Sequence, residues 1–449
     1  MGDTDTPQQK MEVAQSRWSE MPETRAKSSS FSAVTPVPIE KPNPWHSTGT
    51  RTNGQEPLDS IIVNPPTITK IGHRIQQYTP VKIGYLIDID AGMLLGDCLD
   101  AVVLAAEDAL DDGELKRPIE IVPMVARGLP REDAATAVAG YEALCDAGCL
   151  VILGPYITDN AMALLPAMER RQVPVVSTNG AKPFHSYYGF TLGNGGVSEE
   201  GAICAGWLRD KGFERVAAVT EISPGGDEYA KAFRAAAKRN QVNLVADVLV
   251  DQTGDDLADV LRHLHDEVQP DAIAYLGYGY PVAMFNPILR ALDWDPPRIM
   301  STAFMWYINE PSMLDDMDGW YGVDQVGNDR NDSNRNYWPF VHRFEERYGR
   351  RVQHAMLGCS YDQARATIAG VANATLLDPA GVVKGLETLT MMPTVSGGPR
   401  SYISFGPYDR KGFKGDWLTI RHVVDGVPEF DGYLSTAYPA TIRSNDEAS

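Results

Sequence analysis

The chain has 449 residues, of which 43% are hydrophobic and 22% charged, which is ordinary for a globular protein with room for two or three domains. Its formal net charge of −20 argues against nucleic acid or an anionic membrane surface as the partner. No run of about 18 apolar residues occurs, so the sequence predicts no membrane-spanning helix.

Residues 1–79 differ from the rest of the chain in composition and in hydrophobic pattern. Prolines interrupt this segment throughout, and its apolar residues show little periodicity. Such a segment buries too little apolar surface to offset its ordering entropy, so we predict an extended or disordered arm. Trp45 and the Ile61–Val63 run could pack on the body or on a neighbour, and a partner-docking arm is the alternative. The N-terminus lacks a basic stretch followed by an apolar one and a cleavage site, which predicts a cytoplasmic location.

Strand and helix patterns alternate from Val81 onward. Short buried apolar runs are followed by longer stretches with apolar residues at helical spacing. In chain order the sequence predicts strand 81–90, helix 92–113, strand 119–126, helix 130–147, strand 150–155, a helix ending near 171, and strand 173–177.

The stretch 191–198 (TLGNGGVS) is rich in glycine and predicts a crossover at which two lobes pivot. The same alternation then restarts: helix 198–212, strand 215–222, helix 226–240, strand 242–250, helix 256–268, strand 272–280, helix 283–292 and strand 298–304. Two runs of this alternation predict two doubly wound α/β lobes, each built on a parallel sheet.

Two loops in the stretch 150–184 indicate a binding cleft. The first, 154–160, follows one buried strand, and the second, 177–183, follows the next. Ligands of open parallel sheets bind outside the carboxyl ends of the strands, where such loops gather. We therefore expect these loops to form one wall of a small-molecule site.

A strand, a Gly-Pro loop, a helix and then Val-Pro-Val-Val-Ser, in that order, resemble the type I periplasmic-binding-protein family. The most similar branch comprises the leucine/isoleucine/valine-binding receptors of ABC transporters and their cytoplasmic amide-sensing relatives. The resemblance runs from about Pro80 to about Tyr438. It implies a strand at 319–328 that returns toward the first lobe, a closing hairpin-like segment, and a hinge of three crossings.

The resemblance also implies the domain boundaries. The first lobe is expected over 80–198 and 326–402, and the second over 199–325 and 403–440, with a tail at 441–449.

Family ligands contact the first lobe through the same two loops. Thr158 or Asp159 matches the family's head-group position, and Ala181 stands where the family usually has a threonine. The candidates on this lobe are Tyr156, Thr158, Asp159, Asn179, Gly180 and Ala181.

The second lobe of the family contributes a tyrosine at a helix start, an aromatic residue after its third strand and an acid after its fourth. Here Gly225 stands in the place of the tyrosine. Tyr278 and Tyr280 match the aromatic position, and the place of the acid falls on Ala303 or Phe304. We take Tyr278, Tyr280 and Phe304 as ligand-binding candidates.

These departures predict the chemistry of the ligand. A buried ammonium needs an anion, because an unpaired buried charge costs several kcal/mol, and no acid occupies the family position. The aromatic cluster instead favours a hydrophobic or aromatic compound with one or two polar groups.

The sequence contains no nucleophile elbow, metalloprotease, phosphate-loop or paired-cysteine motif, so it predicts neither an enzyme nor a cofactor nor a metal site. The five cysteines are expected to be small buried hydrophobes. An enzyme that uses Asp88, Asp90 and Asp159 is one alternative. A docking protein with a vestigial cleft is another.

We therefore expect a non-catalytic solute-binding protein whose two lobes close on a small molecule. Its partner is an ABC permease if it serves transport, or a regulatory protein if it is a cytoplasmic sensor.

Overall fold

The computed structural model describes residues 55–65, 78–89, 93–129, 133–193, 195–301, 303–308, 314–325, 334–352, 355–415, 418–434 and 442–443. The strands are β1 Gln55–Pro57, β2 Ile61–Val63, β3 Val81–Ile87, β4 Ile119–Ala126, β5 Val151–Leu153, β6 Val175–Ser177, β7 Gly189–Thr191, β8 Arg215–Glu221, β9 Asn243–Val250, β10 Ala272–Leu276, β11 Arg298–Met300, β12 Trp320–Gln325, β13 Met392–Pro393, β14 Tyr402–Ile403, β15 Phe413–Lys414, β16 Leu418–Val424, β17 Val427–Leu434 and β18 Ile442–Arg443.

The α-helices are α1 Met93–Asp111, α2 Ala134–Asp146, α3 Thr158–Arg171, α4 Val197–Asp210, α5 Pro224–Arg239, α6 Leu257–His263, α7 Phe285–Ala291, α8 Phe304–Ile308, α9 Tyr337–Tyr348, α10 Ala355–Ala372 and α11 Pro379–Leu386. A π-helical turn, Leu264–Val268, extends α6, and 3₁₀ turns lie at Tyr280–Met284 and Asp315–Met317.

The first lobe is built on a sheet with the strand order β1-β4-β3-β5-β6-β7. Strands β4, β3, β5, β6 and β7 are parallel, and the helices between them are the crossovers that a parallel sheet requires. The central strands are apolar throughout because helices cover both faces of the sheet, and Val151, Ile152 and Leu153 are all buried. Helices α10 and α1 pack against each other in this lobe.

The second lobe is built on a sheet with the order β18-β17-β16-β12-β11-β10-β8-β9. The neighbouring strands β9, β8, β10, β11 and β12 run parallel to one another. Strand β16 pairs with β12 in the antiparallel direction. Strands β16 and β17 form a hairpin whose turn residues, Asp425 and Gly426, both have positive φ. Asp-Gly is the pair that such a two-residue turn favours, and the structure confirms the predicted hairpin.

Two segments that connect the lobes pair with each other. The Thr191 amide donates to the Arg410 carbonyl at 2.9 Å, and the Gly412 amide donates to the Thr191 carbonyl at 2.8 Å. The Lys411 ammonium lies 3.4 Å from the Glu199 carboxylate at the start of α4. The hinge is thus a short backbone ladder joined by an ion pair.

Part of the predicted N-terminal arm belongs to the first lobe. Strands β1 and β2 both pair antiparallel with β4, and Val63 is buried in the core. These strands cover the outer edge of β4, which would otherwise present unpaired backbone groups.

Two expected boundaries differ from the structure. The second helix begins at Ala134 rather than at residue 130, because the Asp133 carboxylate accepts the Ala135 amide and caps the helix there. The segment around Phe405 packs on Phe190 and Leu389 of the first lobe, so the described chain joins the second sheet at Leu418 rather than at 403.

Candidate functional site

The first predicted loop, Gly154–Ile157, is held by a buried carboxylate from the neighbouring strand. Asp88 accepts the Tyr156 amide at 2.7 Å, the Ile157 amide at 3.0 Å and the Asn160 side-chain amide at 2.9 Å. Burial raises the pKa of Asp88 to about 6, although these three donors oppose the rise. Asp88 therefore acts as a structural anchor, whereas Asp90, its partner in the enzyme alternative, lies outside the described residues.

Tyr156 projects into the first lobe. Its hydroxyl lies 2.5 Å from the Tyr85 hydroxyl and 2.9 Å from the Ser360 hydroxyl, and burial raises its pKa well above the ordinary value. The loop begins at Gly154, whose φ of 92° favours glycine, and a Cβ there would lie 2.1 Å from the Leu86 carbonyl oxygen. Tyr156 is thus part of a core network and does not meet the other candidates.

Asp159 reaches across to the second lobe. Its Oδ1 accepts the Gly225 amide at 3.0 Å, while Ser223 caps the same helix by accepting the Gly226 amide at 2.9 Å. A carboxylate of one lobe therefore shares the capping of a helix in the other, which is a favourable place for a negative charge. The carboxyl ends of the two sheets face each other at this contact.

The Asp159 carboxyl group is desolvated by the lobe contact. Its residue is 5% exposed, and its Oδ2 is buried without a hydrogen-bond partner among the described residues. Burial raises the pKa of Asp159 to about 6, the Gly225 amide lowers it in part, and the carboxylates of Asp227 and Glu228 raise it further.

Tyr278 lies at the same contact. A Cβ on Gly225 would come within 2.8 Å of the Tyr278 ring, so this ring covers Gly225. The ring also makes an edge contact with Tyr229, at 6.5 Å between centroids. Burial raises the pKa of Tyr278 well above its ordinary value, the Asp159 carboxylate raises it further, and a hydrogen bond with the Thr158 side chain opposes the rise.

Glu221 is a carboxylate that the sequence analysis missed. It ends β8 and accepts the Tyr275 hydroxyl at 2.5 Å, the Gly279 amide at 2.6 Å and the Tyr278 amide at 2.8 Å. Burial raises its pKa to about 7, the three donors oppose the rise, and Asp159 adds to it. An acid that ends a buried strand is the same signal that marked Asp88, and it fixes here the loop that carries Tyr278.

The second predicted loop is stabilised from within. The Asn179 side chain donates to the Ser177 hydroxyl and accepts the Ala181 amide, at 3.0 and 3.2 Å, so its polar atoms serve the loop itself. The loop then meets the second lobe, because the Lys182 amide donates to the Glu228 carboxylate at 3.0 Å.

A groove of about 980 Å³ opens beside this loop and the hinge. Gly180 and Ala181 lie in its wall with Lys182 and Glu228, and Arg410 of the hinge lines the other side. Two of the predicted residues therefore line this groove, while Thr158, Asp159 and Tyr278 meet at the lobe contact.

The remaining two candidates lie elsewhere. Phe304 is fully buried in the core of the second lobe with Phe285 and Trp320, and it packs over Gly322 of β12 instead of at the cleft wall. Tyr280 begins a 3₁₀ turn, but its side chain lies outside the described part of the structure.

Among the described residues, no helix is both long and apolar enough to cross a membrane. No cluster of three or more histidine, cysteine or acidic side chains suited to a metal ion occurs in the described part either.

Comparisons with known proteins agree with this architecture. The family model "Periplasmic binding protein" matches residues 80–411. No curated protein sequence matches the chain significantly.

Three solved structures illustrate the likeness. A type 1 periplasmic binding protein from Bordetella pertussis is 19% identical with a TM-score of 0.67, and covers 79% of this chain and all of its own. The branched-chain amino acid binding protein LivJ from Streptococcus pneumoniae, in complex with isoleucine, is 16% identical with a TM-score of 0.66, and covers 78% and 98%. A solute-binding protein from Rhodopseudomonas palustris, in complex with benzoate, is 17% identical with a TM-score of 0.63, and covers 81% and 98%.

The family model spans well over half of the chain, so this chain belongs to the periplasmic binding protein family. Its two α/β lobes with a common hinge have the type I architecture of these structures, and its role is that of a small-molecule binding protein.

Proposed function

We propose that this protein is the solute receptor of an ABC transporter and that its lobes close on a small organic molecule held between Asp159, Tyr278 and the loop after β6. The observation that carries the proposal is the hydrogen bond from Gly225 to Asp159. It joins the carboxyl-terminal edges of two separate sheets, which is where open α/β folds bind their ligands.

The hinge geometry supports closure as the working motion. The pairing of Thr191 with the 410–412 segment gives the lobes a common axis, and hydrogen bonds from the Gly225 amide to Asp159 and from the Lys182 amide to Glu228 cross the cleft. A ligand that binds both lobes would then shift the population toward the closed form that a permease recognises.

The walls of the cleft suit a ligand with an apolar or flat body. Tyr278 and Tyr229 offer ring faces and edges, whereas Thr158 and Asp159 offer polar groups on the opposite lobe. Solved relatives bind leucine, benzoate and 3,4-dihydroxybenzoic acid, so this architecture accommodates both aliphatic and aromatic bodies.

A thermal-shift screen tests the receptor function. The library contains amino acids, amides, amines, alcohols and carboxylic acids with aliphatic and aromatic bodies. A ligand at about 100 times its Kd adds about 2.7 kcal/mol of stability, which is readily measured. Tyr278→Ala should abolish the shift, while Trp338→Ala, which changes an exposed aromatic residue on α9 away from the groove, should retain it. A shift that persists in Tyr278→Ala would place the ligand elsewhere.

We further propose that the protein catalyses no reaction on its ligand. The oxygens of Asp88 are engaged by the loop that they anchor, and those of Glu221 by three donors of its own lobe. Mass spectrometry of the ligand after prolonged incubation checks this, because any conversion would support the enzyme alternative.

The transport role requires the mature chain to lie outside the cytoplasmic membrane, whereas the sequence predicts a cytoplasmic location. Cell fractionation followed by co-purification with a permease tests the two together. A chain found only in the cytoplasm with a regulatory partner would favour the sensor alternative.

A further inference from the structure

The lobe contact contains a carboxylate oxygen that the described residues leave unpaired. Asp159 Oδ1 is engaged by the Gly225 amide, but Oδ2 is buried and accepts no hydrogen bond from the described part of the chain. A desolvated carboxylate oxygen is unfavourable unless a donor reaches it. Oδ2 is therefore a buried acceptor at the lobe contact that has no donor among the described residues.

The charged groups around Asp159 have the same sign. Asp227 and Glu228 project from the facing helix α5, and Glu221 lies at the end of the adjacent strand β8. Glu228 is already engaged by the Lys182 amide and the Ser198 hydroxyl, and Glu221 by its three donors. Asp159 is thus the buried member of this group that has a carboxylate oxygen without a donor in the described part of the chain.

The negative charge of these carboxylates favours some ligand head groups over others. A carboxylate placed at Asp159 would bring another negative charge to a site where burial and repulsion already disfavour ionisation. A cationic nitrogen would instead donate to Oδ2 and neutralise the charge, and charge-assisted bonds of this kind are the stronger ones.

We infer that the ligand presents a protonated nitrogen, as in an amine, amidine or guanidine, to Asp159 and carries no carboxylate at that end. The inference rests on the proposed receptor function, because it identifies the ligand class of the same cleft. It also distinguishes this chain from the solved relatives named above, whose ligands all carry a carboxyl group. The apolar remainder of the molecule would pack on Tyr278.

The test compares head groups on a constant body. Phenethylamine, 2-phenylethanol, 3-phenylpropionate and phenylalanine form one series. Isoamylamine, isoamyl alcohol, 4-methylpentanoate and leucine form another. Any other apolar body whose compounds raise the melting temperature of the protein is tested with the same four head groups. Isothermal titration at pH 7.5 should give the amine the lowest Kd, about 10- to 100-fold below the alcohol of the same body, because a hydrogen bond to a charged group is worth that much.

Two variants locate the effect. Asp159→Asn should weaken the amine about 10- to 100-fold without weakening the alcohol. Asp227→Asn removes the same charge from an exposed neighbour and should change the amine Kd less than about threefold, since exposed charges are screened. Circular dichroism and the melting temperature of each variant without ligand check that the variant is folded. The head-group series uses the unchanged protein, so its result does not depend on the folding of either variant.

The outcomes separate this inference from the receptor function. If an alcohol or a carboxylate binds more tightly than the amine of its body, or if Asp159→Asn retains full amine affinity, the amine assignment is wrong and the receptor function stands. If no compound of any class binds, the receptor function fails and the ligand class fails with it.

Discussion

Closure of the lobes should take up a proton at Asp159. In the structure, where the two lobes are in contact at Asp159, burial raises the pKa of this carboxyl from 3.8 to about 6, whereas an open cleft would return it to water. The closed form therefore binds the proton more tightly than the open form. Acid favours closure, and the advantage is lost as the pH rises from about 4 through about 6 and stays absent above that range.

The magnitude follows from the same values. Since a tenfold change in proton affinity is worth about 1.4 kcal/mol, the rise from 3.8 to about 6 sets an upper limit of about 3 kcal/mol. Asp159 lies in the first turn of α3 and remains partly shielded when the lobes part, which reduces the effect to about 1–2 kcal/mol. The ratio of closed to open protein without ligand should then fall about 4- to 8-fold between pH 5 and pH 8, because part of the loss occurs below pH 5.

Neighbouring acids contribute less to this effect. Glu221 also titrates in this range, but its donors, Tyr275, Tyr278 and Gly279, all belong to the second lobe, so its burial depends little on closure. Asp227 is exposed, and Asp227→Asn serves as the control for a general change in charge.

Small-angle X-ray scattering of the ligand-free protein at pH 5, 6, 7 and 8 measures the closed fraction through the radius of gyration. The unchanged protein and Asp227→Asn should expand as the pH rises, and Asp159→Asn should keep one radius throughout. A radius that is independent of pH in the unchanged protein, or an Asp159→Asn variant that still expands, would refute the assignment of the proton to this carboxyl.

Three further predictions concern the positions around the cleft. Tyr156→Phe removes a hydroxyl that bonds two partners in the core, so urea denaturation should show about 1–3 kcal/mol less stability. The Kd of the ligand should stay unchanged, and a large change in Kd would show that Tyr156 belongs to the ligand site. Gly225→Ala places a methyl group 2.8 Å from the Tyr278 ring, and overpacking of this kind costs about 1–3 kcal/mol. We therefore expect ligand binding to weaken about tenfold while the circular dichroism spectrum stays unaltered. Unchanged affinity would show that the position of the Tyr278 ring does not matter for binding. Deletion of residues 1–77 removes the buried Val63 and should lower stability by at least about 1.5 kcal/mol, whereas deletion of 1–54 should not; equal melting temperatures for the two would show that β1 and β2 add nothing.

The alternation of strands and helices could be predicted because it is local. Each central strand is covered on both faces, so runs such as Val151–Leu153 are continuously apolar, and each helix carries its own apolar spacing. The Asp425-Gly426 pair of the β16–β17 hairpin carries the same kind of local signal, since the geometry of a two-residue turn is encoded in its two residues.

Strands β1 and β2 could not be predicted in this way. Their sequence is short and interrupted by prolines, and each forms only because β4 offers an open edge about sixty residues later in the chain. Pairing of this kind depends on a distant partner, which local composition does not reveal.

The site was predicted in part for a similar reason. The order of the loops predicted Thr158, Asp159 and Tyr278 as candidates, and these residues lie together where the ends of the two sheets face each other, while their role in binding stays a prediction. The direction of each side chain depends on tertiary contacts instead: the Tyr156 hydroxyl bonds Tyr85 and Ser360 in the core, and Phe304 packs over Gly322.

The role of Asp159 in closure and its role in selecting a ligand follow from one geometry. The hydrogen bond from Gly225 to Oδ1 draws the lobes together, but the same contact buries Oδ2, and this burial opposes closure at neutral pH. A cationic ligand that donates to Oδ2 offsets the cost of burying this charged oxygen, and it does not disturb the Gly225 hydrogen bond that joins the lobes. A neutral or anionic molecule of the same shape leaves this cost in place, so its binding would be weakened by the free energy that closure requires. Specificity for a cationic nitrogen and ligand-dependent closure are therefore a single property of this carboxylate, and Asp159→Asn should weaken both together.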